Sequence, residues 1–397
     1  MNKRKVLMII PRLAGGGAER VVSNLTLQLK EKYVMDVLVD YDDISYPCSG
    51  EIICLNPGRK EASGKWNAFA TYFCKYRLLR KFKQKKAYDC YISHSKVSHI
   101  LNVMTGNRGS KIILTLHNKS ANMQSSKFRV FLNFFARHYY KRADLLVAVS
   151  EGVRREYIRD YHIPPERIVS IWNGSDIKLI REKAAEPLSE SQMAWFGKGK
   201  AVATMGRFCE QKGQWHLLRA FSEVVTYFPD SRLLLLGEGP LGDQLKKTAE
   251  QLQISEHVIF CGFQNNPFSV IARSDLFVFP SLWEGFGYAL EEAICCGTPC
   301  VSSDFPYGAR EILHYEREAE ESVTEAVYTD YGALVPVCEG LSVADGPLTD
   351  NEYVLADCIR TMLADEEYCR KVARNNNDRL EEFSLERMGG KWESAIG

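Results

Sequence analysis

Apolar and polar positions along the chain follow two alternating patterns. Short runs of aliphatic and β-branched residues, typical of buried strands, alternate with longer stretches in which apolar residues recur at helical spacing. This alternation predicts βαβ units and therefore parallel sheets. In the first half, the predicted strands are residues 5–10, 34–39, 51–55, 88–93, 111–116, 144–149 and 167–172, and the predicted helices are 18–31, 65–86, 96–105, 126–142 and 151–160.

The alternation is interrupted once and then begins again. Residues 173–200 are polar and are broken by glycines and a proline, so we expect them to connect two domains. Beyond them, the predicted strands are 201–205, 232–236, 257–260, 275–279, 299–302 and 333–337, and the predicted helices are 213–227, 240–252, 287–296 and 350–364. An acidic insertion at residues 315–331 is expected to be a solvated helix or loop.

The pattern predicts an α/β protein with two doubly wound domains, in which ligands bind at the carboxyl ends of the strands. A length of 397 residues agrees with this, because it exceeds what one hydrophobic core usually organises. We place the domains at residues 1–172 and 173–380, followed by a C-terminal helix at 381–397 that packs back toward the first domain.

The composition narrows the class of protein and its compartment. No apolar stretch approaches the ~20 residues needed to cross a bilayer, and the apolar run before Pro11 is too short for a secretory signal. The 12 cysteines are scattered and contain no C-x2-C pair, which favours small buried side chains in a reducing cytosol over zinc or redox chemistry.

Charge is distributed very unevenly. Residues 1–172 carry 30 Lys and Arg against 14 Asp and Glu, a net charge of +16, whereas residues 173–397 carry 21 against 36, or −15. A basic half indicates an anionic partner, and nucleic acid, anionic lipid and a phosphorylated substrate all satisfy that requirement. Composition alone does not choose among them.

The first strand leads into a glycine-rich turn, PRLAGGGAERVV. Glycines 15, 16 and 17 let the backbone pass close to a ligand before a helix opens. A dinucleotide fingerprint requires a third glycine where Arg20 stands, although Asp40 occupies the place of a ribose-binding acid. Binding of NAD and a tight turn without a ligand therefore stay open beside phosphate binding.

Two segments of the second half could bind a phosphorylated sugar. The loop GRFCEQKG places Arg207 and Lys212 after a strand, and two such cations can hold a diphosphate. The segment PSLWEGFGYALEEA breaks at Pro280 and places glycines at the start of a helix, whose free N–H groups attract phosphate. Within it, Glu284 and Glu292 are eight residues apart and could accept hydrogen bonds from vicinal hydroxyls.

Together these motifs resemble a known family. Glu284 and Glu292 as E-x7-E, Arg207 and Lys212 as R-x4-K, and the N-terminal GGGAER are similar to the retaining GT-B glycosyltransferases of the large bacterial polysaccharide and lipopolysaccharide family. The resemblance covers most of the chain in the right order. It implies the GT-B fold, with two Rossmann-like domains facing a central cleft, the first binding the acceptor and the second the nucleotide sugar.

The resemblance also implies roles for single residues. Arg207 and Lys212 would bind the diphosphate, Glu284 the donor hexose and Glu292 the ribose; for the ribose, the sequence leaves an exchange with Glu291 open. His117 would contact the donor sugar near the reacting carbon, the amides of residues 285–287 would face sugar or phosphate, and residues 263–266 would cradle the base. Donor binding is thus assigned to Gly16, Gly17, Arg207, Lys212, Phe263, Glu284, Gly285, Phe286, Gly287 and Glu292, and catalysis to Glu284, His117, Arg207 and Lys212.

No metal or cofactor is expected, and the UDP-sugar is a substrate. The D-x-D sequence at Asp40–Asp42 is interpreted as a chance match, because Arg, Lys and helix amides can neutralise the phosphates. The segment SSDFPYGAREIL departs from the pattern of many relatives, which bears on the shape of the donor pocket rather than on the reaction class.

Basic residues of the first domain suggest a membrane surface. The cationic helix end at Lys75–Lys86 and aromatics such as Phe134 and Tyr140, which lie off the apolar stripe of helix 126–142, are typical of a protein that contacts anionic lipid. Nucleic acid is the weaker interpretation, because no nucleic-acid motif accompanies the charge.

The resulting hypothesis is a cytoplasmic enzyme, peripheral at the inner face of the cell membrane. It would move a hexose or N-acetylhexosamine from a UDP-sugar, with retention, to a lipid-linked saccharide in cell-surface polysaccharide assembly, such as capsule or O-antigen. A nucleotide-sugar 2-epimerase of similar fold and a catalytically silent saccharide- or nucleotide-binding subunit are the alternatives. The sequence does not identify the sugar or the acceptor.

Overall fold

A computed structural model describes residues 3–55, 65–106, 109–117, 138–315, 322–340 and 346–397. The chain forms two compact units. The first contains residues 1–174 together with 384–397, and the second contains residues 175–383.

The first unit is built on a parallel sheet with a doubly wound strand order. The elements are β1 (Arg4–Ile10), α1 (Gly17–Gln28), β2 (Tyr33–Val39), β3 (Ile52–Cys54), α2 (Lys65–Lys85), β4 (Cys90–Ser93), α3 (Lys96–Met104), β5 (Lys111–Leu116), β6 (Leu145–Ala148), α4 (Glu151–Tyr161) and β7 (Ile168–Ser170). The strand order β3-β2-β1-β4-β5-β6-β7 changes direction after β1, as in a Rossmann-like fold.

Both faces of this sheet are covered, so its central strands are apolar on both sides. Val6 and Met8 of β1 belong to one core, whereas Leu7 and Ile9 belong to a second core on the opposite face. Serine caps begin α3 and α4: Ser95 accepts from the Ser98 amide, and Ser150 accepts from the Val153 amide.

The second unit repeats the architecture. The elements are α5 (Ile177–Ala185), α6 (Glu190–Phe196), β8 (Ala201–Met205), α7 (Gln214–Tyr227), β9 (Arg232–Leu236), α8 (Gly242–Gln251), β10 (Val258–Gly262), α9 (Phe268–Ile271), β11 (Leu276–Phe279), α10 (Tyr288–Cys295), β12 (Cys300–Ser303), α11 (Ala309–Ile312), β13 (Val327–Thr329), β14 (Gly332–Val335), α12 (Asp350–Ala364) and α13 (Glu366–Asp378). The strand order is β10-β9-β8-β11-β12-β14-β13, parallel except for the antiparallel pair β13–β14.

The last helix, α14 (Leu385–Ile396), belongs to the first unit. It packs on α1, and it buries Met388, Trp392 and Ile396 in the core that contains Val6 and Met8. Lys32 Nζ lies 2.6 Å from Glu393 Oε2, and Lys111 Nζ donates to the Ala395 carbonyl at 2.7 Å.

The two predicted doubly wound α/β domains are confirmed, and every predicted strand is present within a few residues. Residues 173–200, however, are not an irregular connection, because they contain α5 and α6. The acidic insertion at 315–331 includes the strand β13 in its described part. The predicted helix 126–142 lies almost entirely outside the described residues.

Among the described residues, no helix is both long and apolar enough to cross a bilayer.

Candidate functional site

The loop after β8 carries the two predicted diphosphate-binding cations. Arg207 has an exposed side chain, and its carbonyl accepts from Gln214 Nε2 at 3.1 Å. A short 3-10 turn, Glu210–Lys212, then brings Lys212 back toward the end of the sheet, where its Nζ lies 4.9 Å from the centre of the Phe279 ring. The Lys212 side chain is 20% exposed.

Glu284 lies against this loop. Its Oε1 accepts from Lys212 Nζ at 2.5 Å and from Ser281 Oγ at 3.1 Å. Its Oε2 accepts from Gln211 Nε2 at 3.0 Å, and the same Gln211 nitrogen donates to the Trp283 carbonyl at 2.8 Å. Three donors therefore hold a carboxylate that is only 12% exposed, and the structure brings the predicted Lys212 and Glu284 together as an ion pair.

Glycine makes this close approach possible. Gly213 has φ +60°, and a Cβ there would collide with the carbonyl oxygen of Pro280. A backbone bond from the Leu282 amide to the Gln211 carbonyl, at 2.8 Å, joins the two loops directly. On the other side of the Glu284 turn, Gly308 has φ +96°, and a Cβ there would collide with the Phe286 carbonyl. The turn is thus clamped between two loops.

The three residues that follow Glu284 in the E-x7-E segment are buried, as are the two carboxylates near its end. Gly285, Phe286 and Gly287 are inaccessible, so Phe286 can offer only its backbone to a ligand. Gly287 precedes α10 in the left-handed region, with φ +106°. Glu292 lies on α10 and is buried, and so is the adjacent Glu291, which means that burial does not decide which of the two carboxylates faces a ribose.

The loop predicted to cradle a base is fixed in place except for one ring. The Phe263 amide donates to Glu238 Oε1 at 3.3 Å, and Gln264 Oε1 accepts from Gln192 Nε2 at 3.1 Å. Asn266 Nδ2 donates to the Lys183 carbonyl at 2.9 Å. The Phe263 side chain is nevertheless 73% exposed, an aromatic face of the kind on which a base can stack.

In the first unit, the glycine turn leads into α1 as predicted. Gly15 has φ +76°, Gly16 is the N-cap, and Gly17 is the first helical residue. The carboxylate of Glu19 packs against Gly16 so closely that a side chain there would collide with it. Burial raises the pKa of the Glu19 carboxyl. Its Oε1 atom lies 3.9 Å from Arg12 Nε.

Asp40, considered above as a ribose-binding acid, has a structural partner. Its Oδ2 accepts from Lys75 Nζ at 2.7 Å, and both side chains are buried. Hydrogen bonding to Asp40 raises the pKa of Lys75 even though burial opposes it. Since the carboxylate is neutralised by Lys75, the dinucleotide alternative loses the acid on which it depended.

His117 follows β5 and meets a second histidine. Its Nε2 lies 3.0 Å from Nδ1 of His94, the residue after β4. Burial lowers the pKa of His117 to about 4 and that of His94 well below its usual value. Both rings are therefore neutral near pH 7.

The structure corrects part of the expected basic surface. Lys83 is 3% exposed and donates to Asn102 and to the Gly106 carbonyl at the end of α3. Lys86 pairs with Asp36 at 3.0 Å and with Glu51 at 2.8 Å. Tyr140 is buried against Tyr157 and so cannot face a membrane, and Phe134 lies outside the described residues.

Sequence reasoning missed Gln211, Ser281 and His94. Gln211 and Ser281 stood inside segments already singled out, but only the fold shows that both reach Glu284. His94 had a usable signal, since it directly follows a buried strand, as His117 does. The described residues contain no cluster of three or more His, Cys, Asp or Glu placed to hold a metal ion.

Known proteins match both halves of the chain. The profile of the family described as Glycosyltransferase Family 4 matches residues 15–179, and the profile described as Glycosyl transferases group 1 matches residues 187–319. The first match covers most of the first unit, and the second covers the loops that carry Arg207, Lys212 and Glu284.

Two curated relatives and one solved structure are similar over most of their length. An uncharacterized glycosyltransferase of Methanocaldococcus jannaschii is 27% identical over 81% of this chain and 81% of its own. The N-acetylgalactosamine-N,N'-diacetylbacillosaminyl-diphospho-undecaprenol 4-alpha-N-acetylgalactosaminyltransferase of Campylobacter jejuni is 27% identical over 94% of this chain and 93% of its own.

The solved structure is Anabaena HepE in complex with UDP-glucose. It superposes with a TM-score of 0.74 at 18% identity and covers 99% of both chains, which supports the fold. The two domain matches and the two Rossmann-like units together indicate that the chain is a GT-B glycosyltransferase.

Proposed function

We propose that the chain is a retaining, metal-independent glycosyltransferase that moves a hexose or N-acetylhexosamine from a UDP-sugar to a lipid-linked saccharide acceptor. The reaction would contribute to cell-surface polysaccharide or glycan assembly at the cytoplasmic face of the membrane. The observation that carries the proposal is the ion pair of Lys212 and Glu284, held by Gln211 and Ser281, on the loop that also carries the exposed Arg207.

This arrangement matches the chemistry of a nucleotide sugar. A UDP-sugar presents a dianionic diphosphate next to vicinal hydroxyls, so its site needs cations beside a hydrogen-bond acceptor. Lys212 and Arg207 supply the cations, and Glu284 supplies the acceptor. Because Glu284 is held by three donors, it is ordered before a ligand arrives, which reduces the entropy lost on binding.

The transfer step follows from these roles. The bond between the anomeric carbon and the β-phosphate oxygen breaks, and UDP leaves with the electron pair toward Arg207 and Lys212. The acceptor hydroxyl attacks the same face of the oxocarbenium-like carbon, and its proton passes to the departing phosphate oxygen. Most of the catalysis is positioning and stabilisation of the leaving group.

Two of the similar proteins support the choice of substrates. The name of the Campylobacter relative describes an acceptor linked to diphospho-undecaprenol, and the Anabaena structure contains UDP-glucose. We therefore assign a UDP-sugar donor and a polyprenyl-diphosphate-linked saccharide acceptor.

Helix α2 supports contact with an anionic membrane. Its solvent side exposes Tyr72 and Phe73 beside Arg77, Arg80 and Lys81, and the Arg77 guanidinium lies 5.9 Å from the centre of the Phe73 ring. Exposed aromatic side chains among cations are typical of a helix that lies at a lipid interface.

Incubation with a panel of UDP-, GDP- and ADP-sugars, with and without a polyprenyl-diphosphate-linked oligosaccharide, tests the proposal. We expect transfer from a UDP-sugar in the presence of EDTA, with the anomeric configuration retained in the NMR spectrum of the product. Formation of a 2-epimer from UDP-sugar alone would instead identify the epimerase alternative. Binding without any turnover would identify a silent subunit.

A further inference from the structure

Two histidine rings meet where adjacent strands end in the first unit. Strands β4 and β5 are parallel neighbours in which Ser93 aligns with Leu114. His94 follows β4 and His117 follows β5, and their ring centres are 5.3 Å apart. The contact is a nitrogen-to-nitrogen hydrogen bond of 3.0 Å from His94 Nδ1 to His117 Nε2. His94 is 3% exposed, whereas His117 is half-buried and can reach a ligand.

Such a bond between two neutral rings needs one donor and one acceptor, and burial decides which is which. His94 Nε2 is buried and has no hydrogen-bond partner among the described residues. If His117 donated, the single proton of His94 would lie on this nitrogen, and a buried N–H group would stay unpaired. If His94 donates from Nδ1, the unpaired atom is only an acceptor, and buried unpaired acceptors are tolerated more often than buried unpaired donors.

A third histidine, His99, lies near these two rings. His99 Nδ1 lies 2.9 Å from Ser93 Oγ, and its ring also hydrogen-bonds to the backbone of Thr115. Burial lowers the pKa of His99 to about 3, so it is neutral as well. Ser93 and the backbone of Thr115 therefore hold the His99 ring in place.

We propose that His94 is a positioning residue that holds His117 in the Nδ1–H tautomer, so that His117 presents an N–H donor to an oxygen atom of the bound sugar. The assignment of a sugar to His117 rests on the proposed function, whereas the tautomer does not. In the opposite arrangement, His117 would present a lone pair and could only accept a hydrogen bond from a sugar hydroxyl.

NMR of the protein labelled with 15N-histidine measures the tautomer directly. In the wild-type protein we expect the His117 proton on Nδ1. His94→Asn places an amide N–H where Nδ1 was, so it should preserve this tautomer. His94→Leu offers no donor, and the His117 signals should move toward the Nε2–H form or toward a mixture. A wild-type spectrum with the His117 proton on Nε2 would overturn the inference, whatever the activity.

Kinetics of the same variants separate positioning from folding. We expect His94→Leu to lower kcat about 100-fold, the scale on which one preorganised donor acts, with KM for the UDP-sugar changed less than about threefold. His94→Asn should recover most of kcat, and the UDP affinity of both variants should equal that of the wild type. Equal kcat for His94→Leu and wild type would contradict the positioning role. Full activity of His117→Ala would overturn the contact between His117 and the sugar and leave the tautomer assignment intact.

Discussion

The ion pair of Lys212 and Glu284 sets the charge that the loop after β8 offers to an anion. At 2.5 Å and largely shielded from solvent, Glu284 cancels much of the field of Lys212. A bound diphosphate must compete with this carboxylate for the same ammonium group. We infer that Glu284 weakens the binding of UDP alone. It favours the binding of a UDP-sugar, because a sugar hydroxyl can donate a hydrogen bond to its carboxylate.

Glu284→Gln separates these two effects. We expect the variant to bind UDP as tightly as the wild type or several-fold more tightly, while transfer falls on the order of 100-fold. Calorimetric titration with UDP and the initial rate of transfer are the two measurements. Glu366→Gln is the matched control, because it removes one of the two carboxylates that pair with Lys200, at 2.8 Å, and it should change neither measurement. Much weaker binding of UDP to Glu284→Gln would contradict this account of the pair.

Gly213 is a second single residue on which the site depends. Gly213→Ala adds both a left-handed strain and a collision with the Pro280 carbonyl, so we expect it to destabilise the protein by about 2–4 kcal/mol and to abolish most transfer. Gly297→Ala has the same kind of φ, +83°, but nothing within 4 Å of the added Cβ. It should cost only about 1–2 kcal/mol and spare the activity. Equal losses in chemical denaturation would show that the close approach is unimportant.

Three neutral histidines lie close together in the first unit, at the ends of β4 and β5 and on helix α3. An unfolded histidine has a pKa near 6.5, whereas the pKa is about 4 for His117 and about 3 for His99 in the fold. Because the folded pKa is lower, the unfolded state takes up protons first as the pH falls below 6.5. Stability is therefore complete above that pH and decreases toward pH 4, by about 1.4 kcal/mol per histidine and pH unit.

His99→Gln tests this pH dependence. The glutamine amide can still accept a hydrogen bond from Ser93 and donate one, but it does not titrate. Between pH 6.5 and 5, the free energy of unfolding should therefore fall by roughly 2 kcal/mol less in the variant than in the wild type. The measurement is the free energy of unfolding in urea at each pH. Parallel pH profiles for the two proteins would mean that the fold does not lower the pKa of His99.

Helix α2 carries the exposed cations of the proposed membrane-contact surface. Replacing Arg77, Arg80 and Lys81 with Ala should weaken binding to anionic vesicles roughly 100-fold at low salt, because each cation contributes about 1 kcal/mol. Replacing Lys178, Lys246 and Lys247 with Ala removes the same number of positive charges from the second unit and should change vesicle binding little. Identical sedimentation of both triple variants with anionic vesicles would contradict the assignment of this surface.

Strands were easier to predict from the sequence than polar helices or long-range contacts. Strands buried on both faces, such as LLLL of β9, appear as apolar runs in the sequence. Helix α6 begins after a capping box at Ser189 and buries none of its residues. Its sequence therefore has no apolar stripe from which the helix could be predicted. Contacts such as Gln211 to Glu284 join residues 73 positions apart, and only the folded sheet brings them together.

The chain returns to the first unit after it has formed the second. Trp392 of α14 is buried in the core of the first unit, although it lies more than 200 residues beyond Gly174. The stability of the first unit therefore depends on the end of the chain. We expect Trp392→Ala to destabilise it by about 3–5 kcal/mol.

Calorimetry and ligand titration together check this dependence. The melting transition that involves the first unit should shift to lower temperature, and UDP affinity at low temperature should be unchanged, since the proposed UDP contacts lie in the second unit. An unshifted melting curve for Trp392→Ala would exclude a structural role for α14.

In the proposed function, Arg207 and Lys212 stabilise the diphosphate that leaves during sugar transfer. The most direct measurement is the rate of UDP release coupled to acceptor glycosylation in wild type, Arg207→Ala and Lys212→Met. We expect one UDP to be released per sugar transferred in the wild type, and the rate in each variant to be lower by about 100-fold or more. Near-normal rates in both variants would contradict this role of the two cations.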